Sequence, residues 1–521
     1  MIKIVYNLIL ISTITFSFIA CSNSQNANDN NPLNTDKNIT HSPAFITTWE
    51  TNLSYIKDED YNKLPKSPHA NQLSDDHTVF ISTGGEQGNF SVDWGDGIVE
   101  HNQTADITHI YGSAGIYSVK ITGDFPGIYF AFSKYAYKLL SVDNWGDIKW
   151  KSMHAAFKYC GNMMIKAQDN PDLSNVTDMS DMFKRAIAFN NRLSDWDTSN
   201  VENMSGLFEG TMHFNQDLSG WNTSKVTNMQ TMFKNAIAFN HPIGDWDTSS
   251  VTSTKEMFQG ASSFNQNINT WNMKQVTDIS YMFFGAEAFN QNIGDWNISN
   301  VTTMLCTFQS AYAFNKDIGD WNTSKVVSMS EMFRHARNFN QDIGRWDTSK
   351  VIGMSVMFSS AFAFNQDISN WDTRNVKYMW FMFRYATAFD QDIGKWNTSN
   401  VVAMSDMFNH ATSFTHDIKN WDTSHVKTFY HMFDGASAFN QNIGIWDMSS
   451  ATRMDYMFRD ATLFNQNIGD WNTSNVTNMN YMFQGATAFT NKDLSTWNIH
   501  KVAKHVNFFD NVGASNIAPI W

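Results

Sequence analysis

From Trp196 onward the apolar positions of this chain fall into a fixed rhythm. A tryptophan returns every 25 residues at Trp221, Trp246, Trp271, Trp296, Trp321, Trp346, Trp371, Trp396, Trp421, Trp446 and Trp471, and after one extra residue near Lys492 at Trp497. Phe183 and Phe189 open two further series in the same phase, ending at Phe483 and Phe489. The unit reads F-N-Q-D-I-G-x-W-[DN]-T-S-x-V-T-x-M-S-x-M-F-x-x-A-x-x. Strict repetition of this kind places equivalent residues in columns, because one copy cannot bury its own apolar face and neighbouring copies must cover it. Phe-x-x-x-Ile-x-x-Trp has extended spacing, and Val-x-x-Met-x-x-Met-Phe-x-x-Ala has helical spacing of three and four. The pattern therefore predicts an α/β repeat solenoid, with a strand near Gln-Asp-Ile-Gly, a helical turn from Val to Ala, and a polar corner at Trp-[Asp/Asn]-Thr-Ser. The Asn after each first phenylalanine, from Asn215 to Asn365, is expected to form a ladder of side-chain amides at a corner.

Before the repeats the pattern shortens to alternating runs, such as Thr78-Val79-Phe80-Ile81-Ser82 and Tyr117-Ser118-Val119-Lys120-Ile121, separated by glycine-rich turns. These are strand and hairpin signals, and Phe45–Trp49 reads as the opening strand of the same small β-sandwich. Asp96-Gly97 supplies a tight turn and Trp94 a large core residue.

The first 20 residues form an apolar run behind the single early charge Lys3, too short for a membrane span and suited to an export signal. Phe18-Ile19-Ala20-Cys21 resembles a bacterial lipobox, which makes Cys21 the expected lipid attachment point, an ordinary cleaved signal being the other reading. The polar stretch after it cannot bury enough surface to order itself and reads as a tether. The organisation expected is a signal peptide over 1–20, a tether over 21–42, a β-sandwich over 43–140, a junction and capping repeat over 141–175, the repeats over 176–510 and a tail over 511–521.

Composition narrows the functional classes. Acidic residues outnumber basic ones by 50 to 36, for a formal charge of −14, and no basic patch exists to neutralise a phosphate backbone, so nucleic acid is not expected as a partner. Cys21, Cys160 and Cys306 are odd in number and far apart, with neither disulfide nor zinc spacing, and the latter two read as small buried residues. No G-x-S-x-G, H-E-x-x-H or phosphate loop occurs, so the expectation is no enzyme, no cofactor and no metal. The column Asp317, Asp342, Asp367, Asp392 and Asp417 must be solvated, hydrogen-bonded or bridged by a cation, and Asn267, Asn292, Asn442 and Asn467 in the same column favour hydrogen bonding.

Two stretches, Ser91-Val92-Asp93-Trp94-Gly95-Asp96-Gly97 and Thr108-His109-Ile110-Tyr111 with Gly115-Ile116-Tyr117-Ser118-Val119, resemble PKD-like immunoglobulin-type domains. That resemblance implies that His109 and the nearby aspartates are structural. The repeat unit resembles BspA-type leucine-rich-repeat surface proteins of the Mycoplasma surface-lipoprotein variety. The resemblance rests on the N-V-T-x-M-x-x-M-F and F-N-Q-x-I-x-x-W text and covers about residues 45–510, the junction stretches Trp145–Met153 and Asp169–Val176 included. It implies a leucine-rich-repeat-like fold and a lipid-anchored protein of the bacterial envelope, at the outer membrane or cell surface. Its implied role is adhesion to extracellular, host or matrix proteins.

Function must then lie in the positions that vary. Tyr378, Trp380, Phe381, Tyr385, Tyr430 and His431 interrupt columns of small or polar residues, and Tyr281, Tyr456 and Tyr481 do the same. They form either a ligand-binding aromatic patch or side chains folded over their neighbours. Extracellular proteins are the expected partners, with glycans stacking on the aromatics as the alternative.

Overall fold

Residues 42–52, 76–130 and 135–521 are described in the computed structural model. The expected signal, tether and Cys21 lie outside them. The alternating segments form strands β1 (Phe45–Glu50), β2 (Thr78–Ile81), β3 (Asn89–Asp93), β4 (Val99–Gln103), β5 (Ile107–Ile110), β6 (Ile116–Asp124), β7 (Leu139–Asn144) and β8 (Met164–Ile165). One six-stranded sheet has the order β4-β3-β6-β1-β7-β8, and β2 pairs with β5 in a second, two-stranded sheet. All neighbours are antiparallel except β7 and β8, which run parallel. Alternation explains the burial: in β1, Phe45, Thr47 and Trp49 are buried while Ile46, Thr48 and Glu50 are partly covered. β8 already belongs to the chain that leads into the repeats, so one sheet carries the stack.

Within the repeats the columns predicted from the period are present as stacked rings. Trp296 and Trp321 lie 6.5 Å apart with planes 2° from parallel, Phe308 and Phe333 5.7 Å apart, and Phe314 and Phe339 6.0 Å apart. Each repeat tryptophan from Trp221 on donates its indole N–H to the carbonyl of the Ile or Leu ahead of the previous tryptophan, as in Trp346 to Ile318 at 3.0 Å. The asparagine ladder is also there. The Oδ1 of Asn240 accepts from the backbone amide of Asn265 at 2.8 Å, Asn265 serves Asn290 at 2.9 Å, and the series runs on to Asn365. The stack is wider in sequence than 176–510. Phe157 already stacks on Phe183, and Ile517 pairs with Asp493 while Trp521 packs on His505.

The helical half of the expected α/β fold is absent. Among the described residues the one helical segment is a single 3₁₀ turn, Ala136–Lys138. Where Val-x-x-Met-x-x-Met-Phe-x-x-Ala predicted a helical turn, the chain makes overlapping β-turns. Met182 donates to Met179, Lys184 to Asp181 and Ala186 to Phe183. Four-residue turns placed end over end give the same three-and-four spacing as a helix, so periodicity could not separate the two. The conformation decides it. Two residues per coil hold positive φ, for example Asp181 at 56° and Arg185 at 60°, Glu331 at 58° and His335 at 58°, and Phe381 at 59° and Tyr385 at 56°. A right-handed helix cannot contain them, whereas a type II turn requires one at its third position. The predicted strand is also displaced. Gln-Asp-Ile-Gly makes no bridge until the last coil, where Asp493 pairs with Ile517, and the parallel bridges of the repeats instead join the third residue of Val-Thr-x-Met in successive coils, as in Asp178 with Asn203 and Gly353 with Tyr378. The segment with bulky Ile and Trp is linked by side-chain amides and indoles, which leaves the backbone ladder to the turn segment.

Between coils, backbone amides of that turn segment donate forward. Asp181 donates to Ser205, Phe183 to Leu207 and Arg185 to Glu209, and the pattern recurs down the stack. Each coil is therefore fixed in register by its neighbours alone.

Gly146, at φ 65°, shows how closely the chain leaving β7 passes the start of β1. A Cβ there would lie 2.5 Å from the carbonyl carbon of Ala44 and 2.6 Å from the oxygens of Ala44 and Pro43. These are backbone atoms that cannot swing aside. Gly146→Ala is expected to cost about 2 kcal/mol or more through strain and displacement of the strand start, read as a lowered midpoint in chemical denaturation.

Candidate binding face

The residues at the left-handed positions, with those just before them, project from one face of the stack. At its amino-terminal end this face is ionic: Lys158 pairs with Asp181 at 2.7 Å, Lys184 with Glu209 at 2.9 Å, and Lys234 with Glu256. Further along, aromatic side chains replace these pairs, and they divide into two groups.

Tyr378, Trp380, Phe381 and Tyr385 share one coil. Tyr378 and Trp380 stand in solvent at 45% and 38% exposure, whereas Phe381 and Tyr385 are partly covered. Trp380 meets Phe381 edge-on at 5.4 Å, the Arg384 guanidinium lies 5.1 Å from the Phe381 ring and 5.0 Å from Tyr385, and Tyr385 tilts against His410 at 4.8 Å. Tyr430 and His431 lie two coils on and pack with Tyr456, His431 stacking on it at 4.3 Å, and Tyr456 then stacks on Tyr481 at 4.8 Å. Of the six sequence-selected residues, then, two are solvent-exposed and four are partly covered by neighbours. Cys21, the selected lipid site, is outside the described residues.

Interleaved with the second group is a charged cluster that sequence reading passed over. Asp434 is buried and accepts two bonds from Arg459, at 2.9 and 2.6 Å, and one from His431 Nδ1 at 2.5 Å. Asp455 takes two from Arg453, whose guanidinium covers Tyr430 at 4.5 Å. Asp406 is buried, accepts from Asn409 at 2.8 Å and leaves its second oxygen without a partner. Burial pushes the Asp406 carboxyl above the usual carboxylate range, while His431, Asn409 and Arg384 pull the other way and lose. For an acid with a raised folded pKa, stability falls as pH rises from the unfolded value to the folded one and is constant above it, so the charge at Asp406 costs stability at the top of that window and nothing below about pH 4. Asp406→Asn should therefore raise the melting temperature relative to the parent by an amount that grows as pH rises above about 4 and then levels off.

In front of the first group lies a shallow depression of about 320 Å³, lined by Ser330, Glu331, Ser355, Val356, Tyr378 and Trp380. Its backbone is fixed: Met354 donates to the Tyr378 carbonyl at 3.1 Å and Val356 to that of Trp380 at 2.9 Å. Val356, a β-branched residue, is held at φ 62° on its wall, a conformation maintained only where the surroundings dictate it. Gly353 could have pointed to this place from sequence, since it is the one glycine in the third-position column that runs Asp178, Asn203, Asn228, Ser253, Asp278, Thr303, Ser328.

The aspartate column is explained without a cation. Asp317 accepts from the amide of Gly319 at 2.8 Å, Asp342 from Gly344, Asp367 from Ser369, Asp392 from Gly394 and Asp417 from Lys419, each a local turn. Among the described residues no group of three or more His, Cys, Asp or Glu side chains is placed to hold a metal ion. Cys160 and Cys306 are both buried, and burial pushes the Cys306 thiol up to about 12. In the sheet domain His109 bonds Asp96 at 2.8 Å and stacks on Trp94, while the Tyr111 hydroxyl donates to the Trp94 carbonyl at 2.9 Å. Burial raises the Asp96 carboxyl, but the bonds from His109 and Ile98 outweigh it and hold the group below its usual range. No helix among the described residues is long and apolar enough to cross a membrane.

Columns of stacked 25-residue coils, carried by a small sheet domain and bearing varied side chains on one face, define a repeat protein. The chain belongs to the family described as Mycoplasma protein of unknown function, DUF285, which matches it over residues 151–269, 241–342, 313–421 and 403–520. No curated protein and no solved structure matches the chain.

Proposed function

We propose that this chain is a lipid-anchored cell-surface protein of the BspA type that binds or adheres to extracellular proteins, and that it is not an enzyme. In this reading the stack is a leucine-rich-repeat-like solenoid on a PKD-like β-sandwich, and a lipid at Cys21 holds it to the outer membrane or cell surface. The observation that carries it is the exposure of Tyr378 and Trp380 on a face whose backbone is fixed by its neighbours. Rigid aromatics lose little conformational entropy when a partner covers them, which makes them effective contact anchors. The packing of Asp96, His109 and Trp94 supports the PKD-like assignment, since these side chains stabilise one another.

The test has two arms. Protease treatment of intact cells should remove the protein, and Cys21→Ser should release it from the membrane fraction. Immobilised matrix proteins should capture the parent, and the Trp380→Ala, Phe381→Ala double variant should be captured about tenfold less well. Equal capture of parent and variant would reject this face.

A further inference from the structure

The depression before Trp380 has a composition more specific than a general contact surface. We infer that it is a binding site for a neutral sugar ring, one carried by the extracellular partner, so the inference rests on reading this face as the contact surface. Tyr378 and Trp380 form a raised aromatic wall on one coil. The two coils before it are low, because Ser330, Gly353 and Ser355 stand where the wall carries large rings. A step of this kind accepts a flat group against the wall.

The polar groups of the site say what kind of flat group. Ser355 is 4% exposed, lines the depression, and its hydroxyl has no hydrogen-bond partner. A buried hydroxyl without a partner is costly, and a ligand that supplies one removes the cost. Glu331 adds a carboxylate, held at 2.7 Å by Arg334 Nη1, with oxygens available as acceptors. Ser330 adds a second hydroxyl. A pyranose ring offers a C–H face for the aromatics and edge hydroxyls that donate to Glu331 and pair with Ser355 and Ser330. An apolar side chain would leave Ser355 unpaired. A sulfated or sialylated sugar would bring negative charge toward Glu331 on a chain of net charge −14. The volume of about 320 Å³ sits at the small end for ligand pockets, as a short saccharide requires.

Gly353 provides a variant that fills the site without altering the coil. Asparagine occupies its column at Asn203, Asn228 and Asn478, and a Cβ at Gly353 meets the Ser330 hydroxyl at 2.9 Å, which can rotate away, and the Ser328 hydroxyl at an ordinary 3.8 Å. The full chain is applied to an array of immobilised neutral, sialylated and sulfated saccharides. Neutral saccharides should bind, and both Trp380→Ala and Gly353→Asn should weaken binding about tenfold or more, with unchanged melting temperature for Gly353→Asn. Binding that survives both substitutions, or binding confined to charged saccharides, overturns the assignment. Capture of matrix glycoproteins before and after enzymatic deglycosylation separates the two readings. Capture that persists undiminished with a silent array rejects the sugar site and leaves the protein-contact face standing, whereas loss of capture in every arm rejects both.

Discussion

Trp346→Ala should destabilise the chain by about 3–5 kcal/mol, the range for emptying a core site of this size. Trp346 is buried at 3% exposure and stacks on Trp321 and Trp371, each 6.4 Å away, and on Phe333 at 6.2 Å. Its indole N–H is also bonded to the Ile318 carbonyl at 3.0 Å. Removing the ring leaves two coil interfaces incomplete and one buried carbonyl without its donor. In a protein whose coils contact only their neighbours, the damage stays local at first, so hydrogen exchange should accelerate most in the coils around residues 318–371. Urea denaturation supplies the energy and exchange the location. Trp380→Ala is the control: that ring is exposed, and its loss should shift stability by no more than about 0.5–1 kcal/mol. If Trp346→Ala unfolded no more readily than Trp380→Ala, the columns would not be the source of stability.

The second large effect is with pH. Asp197, Asp247, Asp347, Asp367 and Asp422 have carboxyls held below the usual range by the hydroxyl, and then the amide, of the serine two residues on. Asp217 and Asp417 are lowered chiefly by the amides of Ser219 and Lys419. A depressed folded pKa contributes stability that is complete above the unfolded value of about 4 and is lost as pH falls through the folded value. Each group is exposed enough that solvent screens its individual contribution. Two columns, one just after the tryptophans and one four residues before them, repeat the device at one corner after another, so the contributions accumulate. The melting temperature should hold steady from about pH 7 to 5 and fall steeply below about pH 4. Asp247→Asn and Asp347→Asn together should flatten the acid limb, because asparagine can accept the same amide bonds without titrating. Asn222 and Asn322 already do so in neighbouring coils.

How far the sequence led can be traced residue by residue. The columns were legible because tryptophan and phenylalanine are large, apolar and strictly spaced, so any fold that buries them must stack them. The asparagine ladder was legible for the same reason, since an amide side chain at a fixed corner has few other uses. Helix and strand were misplaced because the decisive variable was the sign of φ, which Phe381 or Glu331 does not announce. Gly206 stands at the first of the two left-handed positions, and Gly210, Gly260, Gly285, Gly435 and Gly485 at the second. They were the available hint, masked because the other coils put Arg185, His335 or Tyr385 in their place. Among the site residues, Tyr378 and Trp380 could be picked out as large residues in polar columns. Beside them only Gly353 left a trace, as the one glycine of its column, and Ser355 could not be found because it matters for a bond it does not make. Likewise the pairing of Arg459 with Asp434 joins residues 25 apart and needs the coil geometry to be seen.

The forward-donating amides of the turn segment have an electrical consequence. In a helix the peptide dipoles align and sum to a partial positive charge at the amino-terminal end. Here the N–H groups of Asp181, Phe183 and Arg185 and their successors all point toward the following coil. The sense is therefore reversed, and this strip of backbone is positive toward its carboxy-terminal end and negative toward the sheet domain. The resulting polarity belongs to the main chain, and neither a change of pH nor any side-chain replacement that keeps the coils in register would remove it.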